Sequence, residues 1–150
     1  MTRVHTFYHV WFKWIDPIPL LPTVFTAAFR PHEWVDSFVP KEITTYNPDQ
    51  GFLLHHLAAL FLFVAIVHAG VLRATNEVAV WRVTNAGILL VDITMLISFY
   101  LSLKQQHRLS FGAIRGVDWG NFGFTLLNAA VRITFLAGAG VSKETKRKKI

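Results

Sequence analysis

Cysteine is absent from the 150 residues, which excludes disulfides, zinc-thiolate sites and a cysteine nucleophile, and removes the usual cysteine clue to redox compartment. Acidic residues are scarce, nine against fifteen basic ones, so each carboxylate inside an apolar stretch needs a physical reason to be there. No Glu-x-x-His pattern occurs, so a metal site would have to gather ligands from several helices, and neither a metal nor a cofactor is expected. The start Met1-Thr2-Arg3-Val4-His5 is not followed by a short apolar core with a small-residue cleavage site, and the first hydrophobic run carries Lys13 and Asp16. A cleaved signal peptide is therefore not expected.

What is present is apolar. Hydrophobic residues make up 53% of the chain and aromatic ones 14%, with a mean hydropathy of +0.39, above the roughly 45–50% apolar content of soluble domains. Within hydrocarbon every backbone group must be satisfied internally, so spanning segments are helices or closed barrels. The apolar runs are too long for barrel strands, which need only about 9–11 alternating residues.

The expected fold is therefore all-α: one polytopic membrane domain over 1–142, built as an antiparallel bundle of four transmembrane helices, with a basic cytoplasmic tail over 143–150. The helices are placed at about 8–29, 51–72, 78–103 and 118–139. Asp16-Pro17-Ile18-Pro19 and Pro22 should break the first, because proline removes an internal hydrogen bond and clashes with the preceding turn. Residues 30–50 form the longest polar loop, long enough to fold over a bundle mouth. Residues 73–77 allow only a tight connection, 104–117 form a second polar loop, and Gly138 and Gly140 suit a helix C-terminus.

Formal net charge is +6, but five basic residues sit in the tail as Lys143, Lys146, Arg147, Lys148 and Lys149, so the basic balance is a tail property. A basic cluster just after a hydrophobic helix marks the cytoplasmic side and anionic headgroups, and the expected partners are membrane lipids rather than nucleic acid. Four crossings place both termini in the cytoplasm and the long loop in the lumen. Lys146 and Lys148 are similar to a dilysine retrieval signal, which points to the endoplasmic reticulum; a plain stop-transfer cluster is the simpler alternative. Trp11, Trp14, Trp34, Trp81 and Trp119 lie near expected boundaries, where interfacial anchoring accounts for most of them.

The candidate site comes from charges in the hydrocarbon, each costing at least ~2.5–3.5 kcal/mol at mid-bilayer unless partnered. Counted at about 1.5 Å per residue from the lumenal boundary, Asp16, Asp92 and Arg132 all fall roughly 15–20 Å deep. Asp118, Asn121, Thr125, Asn128 and Arg132 recur at three- and four-residue spacing and share one helical face. His5, His9, Lys13 and Asp16 form a similar stripe, and Asn85 and Asp92 another. Of His55 and His56, at most one should enter the interior; His68 lies nearer the cytoplasmic end.

Three readings follow. These groups glue helices together; or they form a cavity for a small lipophilic substrate in which carboxylates and arginine do acid-base chemistry; or they line a transport path.

Trp14-Ile15-Asp16-Pro17, Val71-Leu72-Arg73-Ala74-Thr75, Val80-Trp81-Arg82, Asp92, Asp118-Trp119-Gly120-Asn121 and Arg132 together resemble a family of small fungal membrane proteins with four helices. That family is associated with membrane-bound cyclases of the ascofuranone type in meroterpenoid and polyene-polyketide pathways. The resemblance covers nearly the whole chain. It implies opening of an epoxide by an internal hydroxyl or water, without redox cofactor or metal, in a pathway whose other enzymes are candidate partners.

The resemblance implies Asp16, Arg73, Trp81, Asp92, Asp118, Asn121 and Arg132 as the functional set; together with the polar stripes and aromatic residues, the expected catalytic residues are Asp16, Asp92, Asp118 and Arg132, and the expected substrate-binding ones Arg73, Trp81, Asn121, Asn128, His68 and Tyr100. Asp92 is expected to be the acid, Asp16 or Asp118 the base, and Arg132 the holder of the ionised carboxylate. Trp81, Phe99 and Tyr100 would shield positive charge developing at carbon. The chain departs from the family pattern at His68, where a carboxylate or amide is expected, and at Met95, where a histidine often stands. Competing expectations are a sterol-isomerase-like bundle that moves a double bond by protonation, and a non-catalytic lipid- or sterol-binding protein.

Overall fold

The computed structural model describes residues 2–143. The basic cluster Lys146, Arg147, Lys148 and Lys149 lies outside the described residues, and with it the retrieval signal. The described chain is mostly helical, in the order β1 (Thr2–Val4), α1 (Thr6–Val10), a π-turn (Trp11–Ile15), α2 (Leu20–Phe29), α3 (Pro31–Asp36), α4 (Gly51–Ala74), α5 (Val78–Gln105), α6 (Gly116–Leu136) and β2 (Val141–Lys143).

Two helical segments, Pro48–Ala74 and Val78–Gln105, are long and apolar enough to cross a membrane, with mean hydropathies of 2.2 and 2.0. At about 1.5 Å per residue each exceeds the ~30 Å of a hydrocarbon core. Their outer faces are bare and apolar: Leu60, Phe63, Ile66, Val83 and Leu90 are all more than 60% exposed. A water-soluble monomer rarely leaves so large a patch uncovered.

The first segment breaks where proline dictates. The Asp16 N–H reaches back five residues to the Trp11 carbonyl, at 2.9 Å, which makes the turn before Pro17 a π-turn. Pro17 has no N–H, so the carbonyl it would have reached in an α-turn, that of Lys13, is free, and the Arg73 guanidinium at the end of α4 donates to it instead. Helix then resumes at Leu20. α4 packs chiefly along α2 and α5 along α6, while α4 and α5 touch each other less closely although a short turn joins them.

A two-stranded ribbon ties the chain ends together, with Thr2 opposite Lys143 and Val4 opposite Val141. These strands are an addition to the all-α expectation. They form because the turn after α6 passes through Gly138 (φ 94°) and Gly140 (φ 71°), and Gly140 passes so close to the Tyr8 ring that a Cβ would lie 2.9 Å from it. Beneath the ribbon Val4, Tyr8, Phe12, Leu72, Trp81 and Phe135 form a buried, mainly aromatic hydrophobic core.

At the other end, residues 30–50 fold back over the bundle. The Phe38 ring stacks on Phe99 at 5.5 Å, Gln106 donates to the Phe38 carbonyl at 3.3 Å, and Asn121 donates to the Ser37 carbonyl at 3.4 Å.

Candidate functional site

Three segments deliver charge to one point. Arg132 projects from α6 between Asp16, which follows the π-turn, and Asp92 on α5; its Nη2 donates to Asp16 and its Nη1 to Asp92. All three are at least 90% buried. The guanidinium suits this bridging role because its donors diverge in a fixed plane. A fourth group completes the cluster: His68 of α4, 1% exposed, places Nδ1 3.2 Å from the same Asp16 oxygen that Arg132 holds.

The segments bring these groups together for local reasons. Asp16 is turned inward by the π-turn and the proline pair. Arg132 stands on the polar stripe of α6, where Thr125 and Asn128 are also buried. Asp92 shares its face of α5 with Trp81 and Asn85, the only other buried residues of that helix.

The cluster forms the floor of a cavity of about 360 Å³. Its polar wall is Asp16, Asp92, Asn121, Thr125, Asn128 and Arg132, and its apolar wall includes Leu20, Phe61, Val64, Ile88 and Phe99. A second cavity of about 300 Å³ shares Phe38, Phe61, Met95 and Phe99 with the first, and continues past Leu57, Ser98 and Ser102 to Trp34. Besides Trp34 and Phe38 its walls are the facing sides of α4 and α5, which pack less closely on each other than α4 does on α2 or α5 on α6. A mainly apolar chamber with a few convergent polar groups at one end is the usual form of a site for a small lipophilic molecule.

The expected site residues divide into three groups. Asp16, Asp92 and Arg132 meet, and Asn121 and Asn128 line the cavity with them. Asn128 is also held by the Trp11 indole, whose Nε1 donates to its Oδ1 at 3.1 Å. His68 touches Asp16 but stands behind it, outside the cavity lining.

The remaining four lie elsewhere. Asp118 sits in the first turn of α6, where it accepts from the Arg115 backbone N–H at 2.9 Å and pairs with Arg108 and Arg115; it is a helix cap, not a member of the cavity. Arg73 is exposed, lies 4.4 Å over the Trp14 ring and repairs the proline break. Trp81 is fully buried, but in the apolar core beneath the ribbon, its Nε1 donating to the Thr75 carbonyl at 2.8 Å. Tyr100 is 52% exposed on the outer face of α5. His55 and His56 are both exposed, so neither enters the interior.

Asn85, which its seven-residue spacing places on one stripe with Asp92 but which is not among the expected site residues, is fully buried about two turns along α5 from Asp92. Among the described residues no group of three or more histidines and carboxylates is arranged to hold a metal ion.

A family model described as Domain of unknown function (DUF7704) matches residues 1–142, and the chain belongs to that family. No curated protein and no solved structure matches it.

Proposed function

We propose that this member of the DUF7704 family is a multi-pass enzyme of the endoplasmic reticulum membrane that opens an epoxide on a lipophilic prenyl or polyene chain by carboxylate acid-base catalysis. The observation that carries the reading is the arrangement of Asp16, Arg132 and Asp92: two buried carboxylates on either side of one guanidinium, at the floor of a mainly apolar cavity. Epoxide opening at neutral pH calls for an acid to protonate the departing oxygen and a base to accept the nucleophile's proton. Both carboxylates line the same cavity, so one substrate can reach both.

The step balances without oxidant or metal. A carbon–oxygen bond of the epoxide breaks, its electron pair goes to oxygen, and that oxygen takes the proton of one carboxyl. A water or a hydroxyl of the substrate forms the new carbon–oxygen bond, and its proton passes to the other carboxylate. The substrate is hydrated or cyclised, and the site is restored when the proton returns between the two carboxyl groups. The fungal cyclase resemblance in the sequence fits this reaction.

Four spans are part of the proposal. Besides the two strongly apolar helices, α6 has 21 residues and the broken first segment runs from Thr6 to Phe29. The pairing of β1 with β2 supports an even number of crossings, since it holds the two ends of the described chain together. The loose seam between α4 and α5 would admit substrate sideways from the bilayer. A second reading, a lipid- or sterol-binding protein without chemistry, is favoured by one fact: each carboxylate already has a guanidinium partner, as helix glue would.

Incubating membranes of a heterologous host that makes the chain with a terminally epoxidised farnesyl ether separates the two. Formation of a diol or cyclic ether, lost in Asp92→Asn, supports the enzyme. Binding of the epoxide without turnover would leave only the binding protein.

A further inference from the structure

The two cavities follow one line, and the walls of α4 and α5 give its direction. On α5 Asp92 and Met95 line the inner cavity, and Met95, Ser98 and Ser102 the outer one, at three- and four-residue spacing along one face. On α4 Val64 and Phe61 line the inner cavity, and Phe61 and Leu57 the outer. A short turn joins the two helices, so both series lead the same way, from the Arg132 cluster toward the loop over residues 30–50. From Asp92 to Ser102 the helix rises about 15 Å.

The two ends differ in chemistry. The inner cavity holds all the charge, whereas none of the described residues lining the outer one is charged. The loop roofs the line: Phe38 borders both cavities and Trp34 the outer one, with their rings 4.6 Å apart. Gln106 fastens this roof to α5, donating to the Phe38 carbonyl at 3.3 Å and to the Ser102 hydroxyl at 2.6 Å. Phe61, Met95 and Phe99 stand at the join beneath Phe38. Three of these four are rigid rings, and Met95 is the unbranched, flexible one, able to swing aside for a chain that runs from one cavity into the other. A molecule confined to the inner cavity would leave the apolar space of about 300 Å³ beside it without contacts.

We propose that the outer cavity is the tail-binding half of the same site, and that Leu57, Met95 and Ser98 set the length of chain it accepts. The substrate is then a linear lipophilic molecule that reacts at the end placed against Arg132 and extends along α5 beneath the loop. These three are specificity-determining residues and take no part in the chemistry. The inference rests on reading the Arg132 cluster as the reacting end, but its test uses ethers without an epoxide, so the two fail separately.

The test is direct binding of tritiated geranyl and farnesyl methyl ethers to the full chain in lipid nanodiscs, with binding to empty nanodiscs subtracted. The wild type is expected to prefer the longer farnesyl ether by at least about tenfold, the least that added carbons confer in a fitted apolar pocket. Leu57→Trp and Ser98→Trp fill the outer cavity from opposite walls, and Met95→Trp closes the join. In each the farnesyl ether should lose its advantage while the geranyl ether keeps its affinity. Equal binding of the two ethers by the wild type would show that a lipid acyl chain fills the outer cavity, and would overturn the proposal. A preference that survives the three substitutions, or an equal loss of both ethers, would overturn it too. Ser98 is exposed, so its replacement spares the packed interior, and the wild-type ranking stands without any variant.

Discussion

α6 carries an arginine–aspartate cluster at each end, and the two differ in the balance of charge and in what lies beside them. Near its C-terminal end one arginine, Arg132, serves two carboxylates, with a histidine in contact and a cavity of about 360 Å³ alongside. At its N-terminal end one carboxylate, Asp118, serves two arginines, and every group is spent on structure. The Arg108 Nε donates to the Ala113 carbonyl at 3.0 Å and its Nη1 to Gln106 Oε1 at 2.7 Å, while Arg115 also reaches Asp36 of the overlying loop at 3.8 Å. The second cluster clamps the α5–α6 connection and ends there. The first has a surplus of acid, it adjoins an apolar chamber, and part of its hydrogen bonding goes unclaimed, since Arg132 Nε and His68 Nε2 are buried without partners. Functional sites are recognised by such surpluses, whereas structural clamps close their accounts.

The hardest test of the difference is removal of the shared cation. In Arg132→Leu the two carboxylates face each other in a dry interior, and loss of one member of a buried ion pair costs about 3–5 kcal/mol. The variant is expected to unfold at much lower temperature in detergent and to lose turnover altogether. Unchanged thermal unfolding would mean that the cluster is hydrated and the chamber open.

Next in size are the carboxylates themselves. Asp16→Asn and Asp92→Asn each leave Arg132 with one anion, so the fold should hold. Loss of a positioned acid or base should lower the rate of epoxide opening by roughly 10²–10⁴-fold. Turnover of the epoxidised substrate within a few-fold of wild type in either variant would remove that residue from the mechanism. Asp118→Asn should give the opposite pattern: about 1.5–3 kcal/mol of stability lost with the helix-end hydrogen bond and the charge that faces buried Arg108, read by thermal unfolding, and unaltered turnover. A catalytic defect in Asp118→Asn would place the second cluster back in the site and dissolve the contrast.

The sequence carried the helices and the charged core of the site better than it carried the partners. Residues 51–72, 78–103 and 118–139 expected as helices appear as Gly51–Ala74, Val78–Gln105 and Gly116–Leu136, because long apolar runs with clean breaks leave the backbone little choice. Asp16, Asp92 and Arg132 could be placed together because counting residues from a common boundary gives depth, and depth is what bundle topology preserves. Depth says nothing about rotation about a helix axis. Trp81 and Tyr100 belong to one helix and both are expected at the substrate from sequence, yet one is buried in the hydrophobic core and the other faces outward. Asp118 shares a stripe with Arg132 in the sequence, although an acidic residue in the first turn of a helix is itself a local signal of a helix-end role. Arg73 needed knowledge of where the Lys13 carbonyl, freed by Pro17, would come to rest. Contacts that span sixty residues leave no local trace.

The smallest expected effect belongs to Asn121, which stands between the two clusters on α6 and touches both worlds. It lines the cavity, and its Nδ2 reaches the Ser37 carbonyl of the overlying loop at a long 3.4 Å. A hydrogen bond of that length is weak, so Asn121→Ala should cost no more than about 0.5–1 kcal/mol of stability. Its effect on turnover then tells which cluster governs the loop. Arg115, Gln106 and the Phe38–Phe99 stack also hold the loop, each from outside the polar wall of the cavity. If those contacts suffice, Asn121→Ala should raise KM slightly through lost contact with substrate and leave kcat alone. A fall in kcat without a change in KM would instead show that Asn121 couples closure of the loop to the chemistry at Arg132.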